Sequence, residues 1–173
     1  MSPPSLVRVL GIDPGLQVTG YAVLEGRGGF PSVLEAGVIR TAEGRKTTDL
    51  APRLRSLYDG IVEVIDQFHP KTMAVEQLFA HYDHPRTAIL MAHARGVIFL
   101  AAAQRGLTVC SYNATNIKKT VTGSGRASKE QMQLAVQREL GLKQIPDPPD
   151  VADALAAALC QFHIETRPGG GLA

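Results

Sequence analysis

The apolar positions along this chain change period several times, and each change marks a new element. Val7 to Ile12 is largely apolar and β-branched, the pattern of a buried strand, and Asp13-Pro14-Gly15 stops it with turn chemistry. A second strand is predicted from Thr19 to Glu25. Gly26 to Gly29 then turns the chain, and Ser32 to Thr41 returns as a third strand of an antiparallel meander. Leu50, Leu54, Leu57, Ile61, Val64, Ile65 and Phe68 recur at helical spacing behind the candidate N-caps Thr47, Thr48 and Asp49, so one face of that helix is core. His69-Pro70 ends it.

Thr72 to Val75 is a short strand running into Glu76, and the loop Leu78 to His84 leads to a long helix from Pro85 to Arg105. Gly106 is placed to cap its C-terminus. In that helix Ile89, Leu90, Val97, Ile98, Phe99 and Leu100 spread apolar surface over more than one face. Leu107 to Ser111 is a further strand. Residues 113–127 are polar, basic and broken by Gly123 and Gly125, and the pattern assigns them no element. Ser128-Lys129-Glu130-Gln131 has the capping-box pattern for a helix ending at Gly141. Pro146-Asp147-Pro148-Pro149 is expected to be a non-helical linker, with Asp150 opening a last helix, rich in alanine and leucine, that reaches Glu165. Residues 1–167 are expected to form one domain and 168–173 a flexible tail. The order β-β-β-α-β-α-β-α-α resembles that of the ribonuclease-H-like α/β fold, a mixed five-stranded sheet with helices on both faces.

Composition narrows the function. With 173 residues and 45% hydrophobic positions the chain can bury a core. A net charge of only +2 means that affinity for nucleic acid must come from a local patch. No tryptophan and few aromatics argue against a stacking platform for single strands. Cys110 and Cys160, two isolated thiols in apolar stretches, suit a reducing compartment. The N-terminus lacks the pattern of a signal peptide. The apolar stretch Ala88 to Ala103 is interrupted by His93 and Arg95 and reads as too short and too charged to span a bilayer. A cytoplasmic protein without a membrane partner is expected.

Four of the 16 acids stand out. Asp13 and Glu76 each end an apolar strand, where an unpaired charge is costly. Asp150 and Asp153 lie three apart on the last helix and so share a face, where like charges repel unless a cation lies between them. Each has an ordinary reading as well. Asp13 suits an Asx turn, Glu76 an exposed strand end, Asp150 an N-cap and Asp153 the helix dipole. Together they make a plausible cage for divalent cations of the kind phosphodiester cleavage uses.

Several motifs extend this. Leu10-Gly11-Ile12-Asp13-Pro14-Gly15 with Val18-Thr19-Gly20-Tyr21, Glu76-Gln77-Leu78-Phe79, Ala94-Arg95-Gly96-Val97, Lys118-Lys119-Thr120-Val121-Thr122-Gly123 and Ala152-Asp153-Ala154-Leu155-Ala156 follow one another in order. This series resembles the RuvC-type Holliday-junction resolvases over nearly the whole chain. The resemblance implies a homodimeric endonuclease that resolves four-way DNA junctions by paired symmetric nicks, in recombination and repair alongside a branch-migration motor. It implies two Mg²⁺ ions per subunit, or Mn²⁺, held by Asp13, Glu76, Asp150 and Asp153. It also implies cleavage to 5′ phosphate and 3′ hydroxyl ends. Some relatives carry a histidine where this chain has Asp150.

Lys118, Lys119, Arg126 and Lys129 fall within twelve residues that contain no acid. A solvated basic loop is the ordinary reading, but the glycines among them let backbone N–H groups approach phosphates. By resemblance Lys118 and Lys129 lie beside the active site, with Lys119 and Arg126 as further DNA contacts. Phe79 reads as core by type, and by resemblance as the aromatic that stacks on an unpaired base at the crossover. A sugar-kinase or Hsp70-type ATPase shares the Gly-Ile-Asp turn, but 173 residues leave no room for its second lobe.

Overall fold

The computed structural model describes residues 5–41, 49–78 and 85–167. These form β1 (Val7–Asp13), β2 (Val18–Arg27), β3 (Phe30–Arg40), α1 (Leu50–Phe68), β4 (Thr72–Glu76), α2 (Pro85–Gln104), β5 (Thr108–Tyr112), α3 (Ala114–Thr122), α4 (Lys129–Glu139) and α5 (Pro149–Thr166). Thr47, Thr48, residues 79–84 with Phe79 among them, and the tail from 168 lie outside the described residues.

The strands lie side by side as β3-β2-β1-β4-β5. β2 pairs antiparallel with both β1 and β3, and β4 pairs parallel with both β1 and β5. This is the mixed five-stranded sheet that the element order predicts. Successive side chains in a strand point to opposite faces, and that alternation sorts the core. Leu10, Ile12, Val23, Met73 and Val75 pack with α1 and α2. Val9, Ala22, Leu24 and Ala74 pack with α5 and with Ile117 of α3 and Val136 of α4 on the other face.

α5 is the helix closest to the sheet, and small residues let it come so close. A Cβ added at Gly11 would meet the Ala154 carbonyl oxygen at 2.1 Å, and one at Gly20 would meet the Asp150 carbonyl oxygen at 2.1 Å. The far end of the helix is tied by polar contacts. Thr72 Oγ1 and Gln161 Nε2 each donate to Glu165 Oε1 at 2.6 Å, and the Tyr112 hydroxyl donates to Gln161 Oε1. The buried Gln161 amide is thereby satisfied.

The structure adds one element and corrects two expectations. Residues 114–122, to which the sequence pattern assigns no element, form α3. Asn113 caps it, its Oδ1 accepting the Asn116 N–H at 2.7 Å, and Gly123 ends it at φ 79°. Pro149 is helical, not linker: proline suits a first helical position because it needs no N–H donor there. Asp150 is therefore not the N-cap, a position that Pro148 holds, but lies in the first turn. Finally, α2 is apolar enough, by length and composition, to cross a bilayer despite His93 and Arg95. In this fold its buried Ala94, Ile98, Ala101 and Ala102 join the core of the α1 face, while Ile89 and Leu100 are 57% and 52% exposed.

The close seating of α5 predicts that Gly20→Ala is destabilising although it adds one methyl group. Overpacking of this kind costs ~1–3 kcal/mol, and for a chain of this size each kcal/mol lowers Tm by roughly 2–4 °C. Thermal unfolding checks it; an unchanged Tm would mean that α5 does not need this approach.

Candidate active site

The same alternation that builds the core sets the chemistry. Asp13 shares its strand face with Val7 and Val9, and Glu76 with Thr72 and Ala74, so both carboxylates emerge on the α5 side. They stand at the C-terminal ends of adjacent parallel strands. α5 starts over the same end, because Gly20, the β2 partner of Asp13, lies against the backbone of Asp150. Asp150 and Asp153, three apart in the first turns, come with it.

The turn after Asp13 is held from several sides. Thr19 Oγ1 donates to the Gly15 carbonyl at 2.6 Å and accepts the Gly15 N–H at 3.3 Å. The Leu16 carbonyl accepts from the Thr41 hydroxyl and, at 3.2 Å, from Arg53 Nη2. The turn that follows Asp13 is thus fixed through hydrogen bonds to its main chain.

Electrostatics record the crowding. The Asp13 carboxyl is pushed from its ordinary 3.8 to about 7, first by burial and then by Asp153, Asp150 and Glu76, with Lys129 opposing weakly. Burial also raises Glu76, helped by Asp153 and opposed by Lys118 and Arg95. Asp13 thus lies in the field of the other three acids, and Glu76 in that of Asp153. Among the described residues, however, no three His, Cys, Asp or Glu side chains converge as a ready-made metal cage. Lys129 Nζ lies 3.6 Å from Asp153 Oδ2.

Two cavities meet at Glu76. One, of about 250 Å³, is lined by Lys118, Lys129 and Asp153 together with α3 and α5 side chains. The other is lined by Asp13, Pro14, Glu76, Gln77, Met91 and Arg95. Lys118 and Lys129 therefore face the acids, whereas Lys119 and Arg126 line neither cavity. Phe79 lies outside the described residues. Sequence reading placed Arg95 in the Ala94-Arg95-Gly96-Val97 motif and as an interruption of an apolar helix, but not as a neighbour of the acids. Arg95 donates through Nη1 to the Glu76 carbonyl.

Comparison with known proteins places this arrangement. The family described as crossover junction endodeoxyribonuclease RuvC matches residues 9–161. The chain belongs to the RuvC family. It is 51% identical to the RuvC of Rhodopirellula baltica over 166 residues, 96% of this chain and 92% of that relative. It is 48% identical to the RuvC of Moorella thermoacetica over 88% of this chain and 89% of that one. The structure of Thermus thermophilus RuvC in complex with a Holliday junction substrate superposes with a TM-score of 0.84 at 31% identity, covering 95% and 97% of the two chains. RuvC membership brings dependence on a divalent metal. The residues present fit such an ion in kind: all four candidate ligands are carboxylates, the hard oxygen donors that Mg²⁺ and Mn²⁺ take.

The raised Asp13 carboxyl makes a stability prediction for the protein kept in chelator. A folded value of about 7 against an ordinary 3.8 means that the fold disfavours the ionised form. The penalty is nil below about pH 4, grows as pH rises through that interval and is complete above about pH 7. Asp13→Asn should therefore melt higher than the parent at about pH 8, lose that advantage by about pH 4, and keep less of it when Mg²⁺ is added. An Asn variant that melts lower than the parent at about pH 8 in chelator would contradict the crowding.

Proposed function

We propose that this chain resolves four-way DNA junctions by paired symmetric nicks, with Asp13, Glu76, Asp150 and Asp153 holding two Mg²⁺ ions, or Mn²⁺, at each cleavage site. The observation that carries the reading is the placement of these four carboxylates at one end of the sheet, with the other three acting on Asp13, in a chain of the RuvC family. When bound, the ions would supply the Lewis acidity that activates water and stabilises the leaving oxygen. The protein's own part is to hold the donors and the DNA. Lys118 and Lys129, facing the acids, suit the phosphates that flank the scissile bond, and Lys129 would exchange Asp153 for a phosphate as DNA arrives. Lys119 and Arg126, on the exposed side, suit more distant phosphates. Phe79, three residues beyond Glu76, is proposed to stack on a base at the crossover.

Two nicks related by symmetry call for two sites, and a C₂ dimer supplies them. The exposed apolar stripe of α2 supports that dimer: Ile89, Ala92, His93, Gly96, Val97 and Leu100 line one groove with Leu54 of α1. Ile98 belongs to the subunit's own core instead. Work in the cytoplasm beside a branch-migration motor completes the proposal.

A synthetic four-way junction with Mg²⁺ or Mn²⁺ tests it. Paired nicks placed symmetrically about the centre are expected. Glu76→Gln and Asp153→Asn should each slow cleavage by more than about a hundredfold, beyond the ~10–100-fold cost of losing a group that merely orients a ligand, and leave junction binding largely intact. Near-parental cleavage by either would reject the metal-site reading. Lys118→Ala or Lys129→Ala should slow single-turnover cleavage more than it weakens binding; uniformly weaker binding to all DNA with a flatter salt dependence would move that lysine away from the site.

Sedimentation addresses the dimer. The parent is expected at twice its chain mass at micromolar concentration, and Leu100→Asp is expected to sediment as a monomer that still unfolds cooperatively. A parent that is monomeric yet makes both nicks in one binding event would overturn it.

A further inference from the structure

Glu76 is the last residue of β4, and the sheet leaves its carbonyl without a donor. β1 and β4 run parallel with Ile12 beside Val75. The next residue, Gln77, donates its N–H toward β5, to the Tyr112 carbonyl at 2.7 Å. Peptide groups of successive residues alternate between the two edges of a strand, so the Glu76 carbonyl is directed to the β1 side. One further step of the parallel register would bring it the amide of residue 14. Residue 14 is proline, which has no N–H to give. The turn that presents the Asp13 carboxylate therefore opens a gap in the ladder beside the other strand-borne acid, and a partly buried carbonyl left unpaired there would be costly.

Arg95 fills the gap from the opposite face of the sheet. Its Nη1 donates to the Glu76 carbonyl. Its guanidinium carbon lies 4.9 Å from the centroid of the Phe99 ring, one turn further along α2, a stacking distance that favours one orientation of the side chain. Met91, Arg95 and Phe99 stand four apart and so form one row of the helix. Met91 and Arg95 line the cavity that also holds Asp13, Pro14 and Glu76. The guanidinium is thus engaged through Nη1 by a carbonyl and at its face by a ring, both of the protein itself.

We propose that Arg95 is a positioning residue for the nuclease reaction: it clamps the Glu76 main chain across the gap that Pro14 leaves, and so fixes where the Glu76 carboxylate stands relative to Asp13. The proposal rests on the reading of Glu76 as a metal ligand. Residue and ladder gap belong together, since Pro14 shapes the turn and Arg95 replaces the donor that Pro14 lacks. α2 thereby carries the proposed dimer stripe on one row and the Glu76 clamp on another.

The test measures metal binding apart from catalysis. Mn²⁺ is titrated into the full-length protein without DNA, with the electron paramagnetic resonance signal of unbound Mn²⁺ as readout, and junction cleavage is followed separately. Arg95→Ala is expected to weaken Mn²⁺ binding ~10–100-fold, the usual cost of losing a group that orients a ligand. Its kcat should fall within the same range while KM for the junction stays put, with part of the rate regained at higher Mn²⁺. Arg95→Lys should recover much of both, because an ammonium group can still donate to the carbonyl. Parental Mn²⁺ affinity in Arg95→Ala overturns the proposal, as does weaker junction binding at unchanged Mn²⁺ affinity, which would make Arg95 a DNA contact. Should Arg95→Ala fail to unfold cooperatively, Phe99→Leu decides instead: it removes the stack but keeps the donor, and a several-fold loss of Mn²⁺ affinity is expected, parental affinity again overturning the proposal. Glu76→Gln is the control that separates the two readings. If it binds Mn²⁺ as the parent does, the ligand assignment of Glu76 fails; if it loses Mn²⁺ while Arg95→Ala does not, only the positioning role fails.

Discussion

Asp13 keeps a carboxyl group beside three others in a partly buried setting, and the surrounding structure works against the repulsion that this creates. Burial first, and then these three carboxylates, push the Asp13 carboxyl up to about 7. What holds the acids together is not attraction among them but close packing elsewhere along the same elements. Glycines at positions 11 and 20 let α5 settle on the sheet, and the Thr72–Glu165–Gln161 contacts fix the other end of that helix. The packing energy of an alanine-rich helix on a sheet is thus set against local charge repulsion, and a divalent cation at the proposed site would relieve the latter.

The two faces of the sheet divide the work. On the α5 face lie the acids, with Lys118 and Lys129 brought in by α3 and α4. On the other face, α1 and α2 pack on Leu10, Ile12, Met73 and Val75 and leave the apolar stripe of α2 outward. Arg95 crosses that division, since it springs from the α2 side yet bonds the main chain of a residue whose side chain emerges on the α5 side. The basic residues divide as well. Those that face the acids, Lys118 and Lys129, are carried on α3 and at the first position of α4, while Lys119 and Arg126 line neither cavity at Glu76.

Much of this was legible in the sequence, and for specific reasons. The strands and long helices carry clear periods, and the capping box at Ser128 and Gln131 forms as its spacing predicts. Asp13 and Glu76 were conspicuous because charge is out of place at the end of an apolar strand. Elsewhere the signals are weaker. α3 is short, and β-branched Thr120, Val121 and Thr122 favour strand as much as helix, so only its end caps, Asn113 and Gly123, could have revealed it. Asp150 looked like an N-cap because two prolines precede it, yet a proline at the first helical position moves the start one residue earlier. Arg95 was invisible as a partner because its bond runs to a backbone carbonyl, which no sequence pattern encodes. That the carbonyl needs a donor follows from strand register, and register exists only once the sheet is assembled.

The central claim is that the four carboxylates act as one metal site, and anomalous scattering tests it most directly. Crystals of the protein soaked in Mn²⁺ and measured near the manganese edge locate the ion without reference to activity. The account predicts anomalous peaks enclosed by Asp13, Glu76, Asp150 and Asp153, with Lys129 withdrawn from Asp153. Manganese bound elsewhere, with none between these carboxylates at concentrations that support cleavage, would contradict it.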